Sequence, residues 1–277
     1  MKFSDFIFNY KSCLSSLFNQ KKYLAITKRF FLLPYKYIIS ILRDLFINKN
    51  IDKISQLENI CSLDEYFKYF DCDKSSLVHG YNRFYIDEFE KFKNSNLNIL
   101  EFGIHFGSSQ AAFCKYFVNS KIIGVDKNPY YKKFFSKKIR SLYCDVSDQH
   151  SLYMLKKYIK NDIDIIIDDA SHIPEHQLKT FIEMFDVLKN QGIYVIEELD
   201  VFKSFPEIYN KNSENDASIL RDLLHCIKDK NYSEIYKICK KIKIDKIAED
   251  IEWVKIFRGS YIVNNKNVSE IAFVKKK

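Results

Sequence analysis

The stretch from Asn98 to Asp126, NILEFGIHFGSSQAAFCKYFVNSKIIGVD, decides the fold. It contains a short apolar run that ends in Glu101, a turn with Gly103 and Gly107, a helical segment, and a second apolar run that ends in Asp126. Strand, glycine turn, helix, strand and acid in this order indicate a nucleotide-binding βαβ unit. Glycine lets the backbone approach a ligand, and an acid after the second strand can accept hydrogen bonds from both hydroxyls of a ribose.

The spacing of the glycines distinguishes two kinds of nucleotide-binding turn. Dinucleotide folds favour GxGxxG, whose backbone amides hold a pyrophosphate, whereas this chain reads ExGxxxG with His105 in the middle. That pattern resembles the first motif of class I S-adenosylmethionine methyltransferases, whose ligand carries a ribose and no phosphate. An ordinary βα turn is the alternative. The chain has 6 glycines in 277 residues and three of them, Gly103, Gly107 and Gly124, lie here, which favours nucleoside binding.

Composition and charge narrow the function classes. The formal net charge is +8, but the lysines are scattered, so nucleic-acid binding is a minor alternative to a solvated basic surface that faces a membrane or a polysaccharide precursor. The 7 cysteines are widely spaced and form no CxxC pair, which indicates a reduced, cytoplasmic protein. We find no signal-peptide pattern and no apolar segment long enough to span a bilayer, although peripheral contact with the inner face of the membrane is an alternative.

The chain divides into three regions. Residues 1–60 predict an N-terminal helical extension that begins with an amphipathic helix over 1–20, and we expect it to pack on the domain or on a second subunit of a homo-oligomer. Residues 61–96 predict a helical connector and a candidate lid, and residues 97–277 the nucleotide-binding domain. Four residues of the connector precede the βαβ unit closely enough to cover a site: Lys74, His79, Gly80 and Tyr81.

Strands and helices alternate after Asp126. Further strands are predicted at 141–144, 163–167 and 193–196, and later ones at 253–257, 260–263 and 271–274. Helices are predicted from Pro129, over 147–160, from Pro174, and over 219–228 and 232–243, and Arg258-Gly259 predicts a hairpin at the far edge of the sheet. This alternation predicts an α/β fold with a mostly parallel sheet and helices on both faces.

Acidic residues follow five consecutive predicted strands: Glu101, Asp126, Asp145, Asp168, Asp169, Glu197 and Glu198. Ligands of parallel α/β sheets bind beyond the carboxyl ends of the strands. Neighbouring strands lie about 4.8 Å apart, so Asp169 should converge with Glu197 and Glu198. Such carboxylates repel unless a cation lies among them, and oxygen ligands favour Mg²⁺, Mn²⁺ or Ca²⁺. His172 follows Asp169 at the mouth of the same pocket.

Each of these acids and His172 has a structural alternative. Asp168 could receive backbone amides, His172 could adjoin the cap of the helix at Pro174, and Glu198 could face solvent. His172 and His176 are four residues apart, but a two-histidine metal site needs a further ligand, and the sequence offers none.

Four segments carry a family resemblance: EFGIHFGSS, IIGVDKNP, IIIDDASHIPEHQLKTF and LKNQGIYVIEEL. Over about residues 73–200 they resemble the metal-dependent sugar O-methyltransferases that include macrocin and mycinamicin O-methyltransferases and bacterial capsular-polysaccharide methyltransferases. The resemblance implies a seven-stranded Rossmann-like fold, with S-adenosylmethionine and Mg²⁺, or another divalent cation, as cofactors. Residues 97–277 would then be the methyltransferase domain.

The resemblance also implies roles for individual residues. Asp169, Glu197 and Glu198 would bind the metal. His172 and Asp169 would be the catalytic residues, with His172 as the general base. The cofactor would contact seven residues: Glu101, Gly103, Gly107, Ser108, Asp126, Asp145 and Asp168. The second acid of the metal pair is usually aspartate in this family, so Glu198 is longer by one methylene group.

The implied reaction transfers a methyl group from a sulfonium to a sugar hydroxyl of a bacterial surface polysaccharide or its precursor, with proximity, metal and base each contributing. The main alternative is a non-catalytic or NAD-dependent nucleotide-binding protein that acts on sugars. A further alternative is a scaffold that docks on partners or membrane through its aromatic N-terminus. Another is a nucleic-acid methyltransferase, but this sequence contains no Asn-Pro-Pro-Tyr motif of the kind that forms a base pocket.

Overall fold

The computed structural model describes residues 3–19, 23–46, 48–54, 62–130, 132–160, 162–209, 218–242 and 244–277. The helices are α1 (Phe3–Asn19), α2 (Tyr23–Phe46), α3 (Leu63–Tyr69), α4 (Asn82–Phe89), α5 (Ser108–Tyr116), α6 (Gln149–Ile159), α7 (Pro174–Met184), α8 (Val201–Ser204), α9 (Pro206–Tyr209), α10 (Ile219–Lys228), α11 (Tyr232–Ile242) and α12 (Asp245–Glu249). The strands are β1 (Lys49–Asn50), β2 (Asn98–Phe102), β3 (Lys121–Asp126), β4 (Phe134–Phe135), β5 (Ile139–Tyr143), β6 (Ile163–Asp168), β7 (Leu188–Ile196), β8 (Ile251–Arg258), β9 (Ile262–Val263), β10 (Lys266–Asn267) and β11 (Glu270–Lys276).

Seven strands form the main sheet, in the order β5-β3-β2-β6-β7-β11-β8. The first five are parallel, and β11 runs antiparallel to both of its neighbours, β7 and β8. Strand β6 has the sequence IDIIID, whose near-continuous isoleucine run suits a central strand that is covered on both faces. The predicted α/β fold with a mostly parallel, seven-stranded sheet is therefore confirmed.

Two hydrophobic layers cover the sheet. On one face α3, α4 and α5 bring together a set of aromatic side chains in which Phe67, Tyr85 and Phe113 contact one another and Tyr85 contacts Phe273 of β11. On the other face the apolar sides of α6, α7 and α10 pack against the remaining strand residues. Because residues of a strand alternate between faces, Glu101 and Phe102 belong to opposite layers.

The register of the central strands brings three chain segments to one edge. Phe102 of β2 is level with Asp168 of β6, which is level with Ile196 of β7. The backbone continues the pairing one residue further, since the amide of Asp169 donates to the Phe102 carbonyl and the amide of Glu197 donates to the Asp168 carbonyl, each at 3.0 Å. The segments that follow β2, β6 and β7 therefore start side by side at the same edge of the sheet.

The N-terminal helices pack on the domain beside the edge strand β5. Helix α1 contacts α6 and β5, and α2 packs on α1 with Pro34 inside it. The buried Asp5 accepts hydrogen bonds from the Arg140 guanidinium and from the Tyr158 hydroxyl. None of the helices in the described ranges is long and apolar enough to cross a membrane.

One predicted element is wrong, and another is shorter than predicted and lies outside the main sheet. The segment after Asp126 does not form a helix at Pro129; instead Phe134–Phe135 pairs in parallel with Lys49–Asn50, a contact between distant parts of the chain that local periodicity does not reveal. The predicted strand at 260–263 is not part of the main sheet, because Ile262–Val263 pairs with Lys266–Asn267 in a small hairpin. The chain therefore passes from β8 to its antiparallel partner β11 through a longer connection than the turn predicted at Arg258-Gly259.

Removal of the Asn9 side chain tests the docking of α1. The Asn9 carboxamide is buried, accepts from the Tyr143 amide at 2.7 Å and donates to the Tyr130 hydroxyl at 3.1 Å. We expect Asn9→Ala to lower the free energy of unfolding by about 1–3 kcal/mol, because the buried amide of an edge strand loses its acceptor. Lys11→Ala, on the exposed side of the same helix, is the control in urea denaturation, and an equal effect of the two would contradict this role.

Candidate active site

The glycine turn after β2 packs directly on the backbone that follows β6. Gly103 has φ +94°, and a β-carbon there would lie far inside contact distance of the Asp169 carbonyl oxygen. Its amide donates to the Val125 carbonyl at 2.8 Å. Gly107, with φ +80°, is the residue before α5, and a β-carbon there would make only ordinary van der Waals contacts with Lys132 and Gln110. The predicted turn is therefore present, and Gly103 is required for a close approach to Asp169.

Lys74 lies between two of the predicted metal ligands. Its ammonium group contacts the Oδ2 atom of Asp169 and lies 3.0 Å from Oε2 of Glu197. The other Glu197 oxygen accepts from the buried Tyr85 hydroxyl, and the Glu197 carbonyl accepts from Gln177 Nε2 at 2.9 Å. Burial alone would lower the pKa of Lys74, but Asp169 and Glu197 raise it well above its usual value. The pair of carboxylates therefore holds a buried positive charge.

His172 lies on the other side of Asp169, against Glu198. Its Nε2 atom is 2.9 Å from Glu198 Oε2 and 3.7 Å from Asp169 Oδ1, and His79 Nε2 is 3.5 Å from the second Glu198 oxygen. Both His172 (φ +53°) and Glu198 (φ +54°) have left-handed backbone conformations, which are uncommon for residues with side chains and occur often at functional sites. Burial opposes protonation of His172, but the carboxylates of Glu198, Asp169 and Glu197 outweigh it and raise its pKa to about 9.

The remaining predicted cofactor residues have local partners. Asp126 accepts from the amides of Ile104 (3.1 Å) and Asn128 (2.7 Å), and Asp145 accepts from the amide of Ser147 at 3.1 Å. These bonds shape the turns after β3 and β5. Both acids lie at the carboxyl edge of the sheet, as predicted.

Glu101 and Asp168 are fully buried, and burial raises the pKa of each to about 7. Neither Glu101 oxygen, nor Oδ2 of Asp168, receives a well-oriented hydrogen bond from the described residues. The alternation of the strands directs Asp168 to the layer opposite Glu101. The structure therefore does not bring Asp168 to the same side as Asp169.

A cavity of about 330 Å³ lies beside the glycine turn. It is lined on one side by Gly103, Ser108 and Asp169, all predicted site residues, and on the other by acidic and basic residues of the connector. The connector residues that line it are Asp71, Cys72, Asp73 and Lys74. The segment predicted as a candidate lid thus forms one wall of this cavity, and its motion stays a prediction.

The carboxylates predicted to bind metal share one site but are not arranged as an open metal cage. In the described part of the chain, no group of three or more His, Cys, Asp and Glu side chains is placed to hold a metal ion. Asp169 and Glu197 instead meet at Lys74, and Glu198 meets His172. The donor set still suits a hard divalent cation, since all three ligands offer oxygen, but Lys74 lies between two of them.

Tyr85 and Gln177 were not identified from the sequence, and Lys74 and His79 were placed only in a candidate lid. Lys74 is 95 residues from Asp169 and 123 residues from Glu197, so no local spacing indicates their contact. The available signal was the run of polar residues between Cys72 and Tyr81 within an otherwise aromatic, helix-forming region.

Two alanine substitutions in the glycine turn test its packing on Asp169. Both Gly103→Ala and Gly107→Ala place a side chain in a left-handed conformation, at a cost of about 1–2 kcal/mol. Gly103→Ala should be less stable than Gly107→Ala by roughly 2 kcal/mol more, because its β-carbon meets the Asp169 backbone. Chemical denaturation measures the difference, and equal losses would show that the turn has room at Gly103.

A titration of His172 tests its electrostatic environment. In metal-free protein we expect a midpoint near the raised pKa of about 9 by NMR, and a lower midpoint in Glu198→Gln. The stabilisation from this pair is complete below the unfolded-state pKa of about 6.5 and is lost as the pH rises through about 9. A midpoint near that of free histidine would contradict the close contact with Glu198.

The sequence comparisons give related enzymes over about half of the chain. No family model matches. A 2'-O-methyltransferase of Streptomyces olivaceus that acts on 8-demethyl-8-alpha-L-rhamnosyl tetracenomycin-C is 28% identical over 156 residues, which cover 53% of this chain and 41% of the relative. The mycinamicin VI 2''-O-methyltransferase of Micromonospora griseorubida is 27% identical over 134 residues, covering 46% and 33%. The chain thus spans less than half the length of these relatives.

A solved structure gives the same fold over a larger part of the chain. The MycE methyltransferase of the mycinamycin biosynthetic pathway, in complex with Mg, SAH and mycinamycin VI, matches with a TM-score of 0.57 and 21% identity. The match covers 79% of this chain and 55% of that protein. The comparisons confirm the resemblance predicted from the motifs: over about half of its length this chain is similar in sequence to sugar O-methyltransferases, and it shares the fold of the MycE methyltransferase.

Proposed function

We propose that this chain is an S-adenosylmethionine-dependent O-methyltransferase that methylates a sugar hydroxyl, with a divalent cation at the site and His172 as the general base. One observation carries the proposal: Gly103 and Asp169 line a cavity at the ends of β2 and β6, Asp169 shares Lys74 with Glu197, and His172 lies between Asp169 and Glu198. The related enzymes act on glycosylated small molecules, and the structural relative was solved with Mg and SAH.

The cavity suits the methionine part of S-adenosylmethionine. That part carries positive charges on the sulfonium and the amino group and a negative charge on its carboxylate. The cavity wall offers groups of both signs, the carboxylates of Asp71, Asp73 and Asp169 and the ammonium groups of Lys74 and Lys133. Gly103 contributes only backbone atoms to the cavity wall, since the space of its absent side chain is filled by the Asp169 backbone. Asp126, at the end of the adjoining strand, would accept hydrogen bonds from the ribose hydroxyls, as acids do in other nucleotide-binding βαβ units.

Asp169, Glu197 and Glu198 would hold the divalent cation. Bound there, the cation would stabilise the negative charge that develops on the acceptor oxygen. Their oxygen donors favour Mg²⁺, Mn²⁺ or Ca²⁺ over softer metals. The carboxylates around His172 favour its protonated form, and a neighbouring cation would favour the neutral imidazole that a base requires.

His172 would remove the proton of the acceptor hydroxyl at Nε2, after the hydroxyl displaces Glu198 from its 2.9 Å contact with this ring nitrogen. The carboxylates of Asp169 and Glu198 orient the ring and stabilise the imidazolium that forms. The balanced step moves a methyl group from sulfur to the acceptor oxygen and a proton from that oxygen to His172. General-base catalysis of this kind typically contributes about 10²–10⁴-fold.

The nature of the acceptor and the assembly of the protein extend this proposal. A sugar of a bacterial surface polysaccharide, or of its precursor, is the acceptor that we propose, within a cytoplasmic reaction. A homo-oligomer is supported by the exposed apolar side chains along α2, Tyr35 (62% exposed), Ile38 (56%) and Leu45 (68%). Peripheral contact with a membrane would use the same helix.

A transfer assay tests the proposed function. With labelled S-adenosylmethionine and a panel of rhamnosyl glycosides and capsular oligosaccharides, the protein should methylate a sugar hydroxyl. His172→Ala should lower kcat by at least about 10²-fold through loss of the base, while the Kd of S-adenosylhomocysteine stays close to that of the unmodified chain. His176→Ala, four residues along and bonded to Ser171 rather than to the carboxylates, is the matched control.

Two results would decide against the proposal. Binding of NAD with no binding of S-adenosylhomocysteine in calorimetry would favour the oxidoreductase alternative. Equal loss of activity in His172→Ala and His176→Ala, both with intact cofactor binding, would remove His172 from the role of base.

A further inference from the structure

Lys74 is an unusual residue to find at the centre of this site. Its side chain is 1% exposed, yet it carries an ammonium group, and a buried charge is expensive unless it is paired. The ammonium contacts Asp169 and lies 3.0 Å from Glu197. Lys74 therefore supplies the positive charge that allows two carboxylates from adjoining strand ends to lie close together.

The backbone of the connector holds Lys74 in this position. The Lys74 carbonyl accepts from the Asn82 amide at 2.9 Å, which ties it to the start of α4. On either side, the His79 amide donates to the Asp73 carbonyl at 2.9 Å and the Gly80 amide donates to the Ser75 carbonyl at 2.8 Å. The loop is thus closed on itself, and the lysine side chain extends from it into the site.

The carboxylate oxygens nearest Lys74 are already engaged. Glu197 uses one oxygen for Tyr85 and the other for Lys74, and Asp169 uses Oδ2 for Lys74. A divalent cation that binds Asp169 and Glu197 must therefore share or replace the contact with Lys74. A divalent cation bound to these two carboxylates would lie close to the Lys74 ammonium. Two positive charges so close together repel one another strongly in a site shielded from water.

An alternative partner for the lysine lies close by. The carboxylate of Asp73 is 3.9 Å from the Lys74 Nζ atom, its side chain is 61% exposed, and both residues line the cavity beside the glycine turn. An ammonium displaced from Asp169 and Glu197 could move toward Asp73 without passing through the hydrophobic core.

We infer that Lys74 acts as an internal cation for Asp169 and Glu197 and competes with a divalent metal ion for these two carboxylates. This inference rests on the proposed function, since it concerns the metal site of that reaction. It makes Lys74 a positioning residue that sets metal affinity and keeps the carboxylates together when no metal is bound.

Manganese binding to the full chain tests the competition without any acceptor sugar. By isothermal titration calorimetry, Lys74→Met should bind Mn²⁺ about tenfold more tightly than the unmodified protein, or more, because one adjacent positive charge is removed. Asp169→Asn in the Lys74→Met background should abolish the gain. Lys255→Met removes a lysine that pairs with the buried Glu88 elsewhere, and it should leave Mn²⁺ binding unchanged.

Equal or weaker Mn²⁺ binding by Lys74→Met would overturn the inference, because a purely structural lysine would only weaken the site when removed. Absence of Mn²⁺ binding in both proteins would overturn it as well. The transfer assay, with its own cofactor-binding control, judges the proposed function separately, so failure of one does not imply failure of the other.

Thermal unfolding covers the case in which Lys74→Met is unstable. Without metal, the variant should melt below the unmodified protein, since the buried Glu197 carboxylate and the partly buried Asp169 carboxylate would face each other with no cation. Mn²⁺ should raise its Tm more than it raises the Tm of the unmodified protein. An equal rise, no rise, or a variant that stays unfolded with Mn²⁺ present would contradict the inference.

Discussion

The contact of the Lys74 ammonium with Asp169 and Glu197 is the interaction on which the rest of the site depends. This contact joins the connector before the sheet to the ends of β6 and β7. Along the chain, Lys74 is 95 residues from Asp169 and 123 residues from Glu197. Carboxylates brought so close in a buried place repel each other, and a cation between them turns that repulsion into attraction. The convergence of the strand ends is therefore possible because a positive charge is supplied from a third segment.

The surrounding packing fixes this arrangement from both sides. The glycine turn presses on the backbone of Asp169, and Tyr85 reaches Glu197 from the aromatic layer that covers the sheet. His172 and Glu198 hold left-handed backbone conformations, which place their side chains against each other at the mouth of the site. Backbone strain at two neighbouring positions of one site is typical of a functional arrangement rather than of a simple strand end.

The sequence predicted the sheet and its acidic edge well, because both follow from local patterns. Apolar runs that end in acids gave the strands, and the rule that parallel strands end at one edge placed Asp169 near Glu197. The contact of β4 with β1 and the position of Lys74 were not predicted, since each joins segments far apart in the chain. Asp168 adjoins Asp169 in sequence, but strand alternation sends it to the opposite layer.

The central claim is that the cavity beside Gly103 and the carboxylate site form one methyl-transfer centre. A crystal structure of the chain with S-adenosylhomocysteine tests it most directly. The account predicts the ribose near Asp126 and the sulfur in the cavity, facing Asp169 and His172. A ligand bound elsewhere, or a cavity that stays free of it at saturating concentration, would contradict the account.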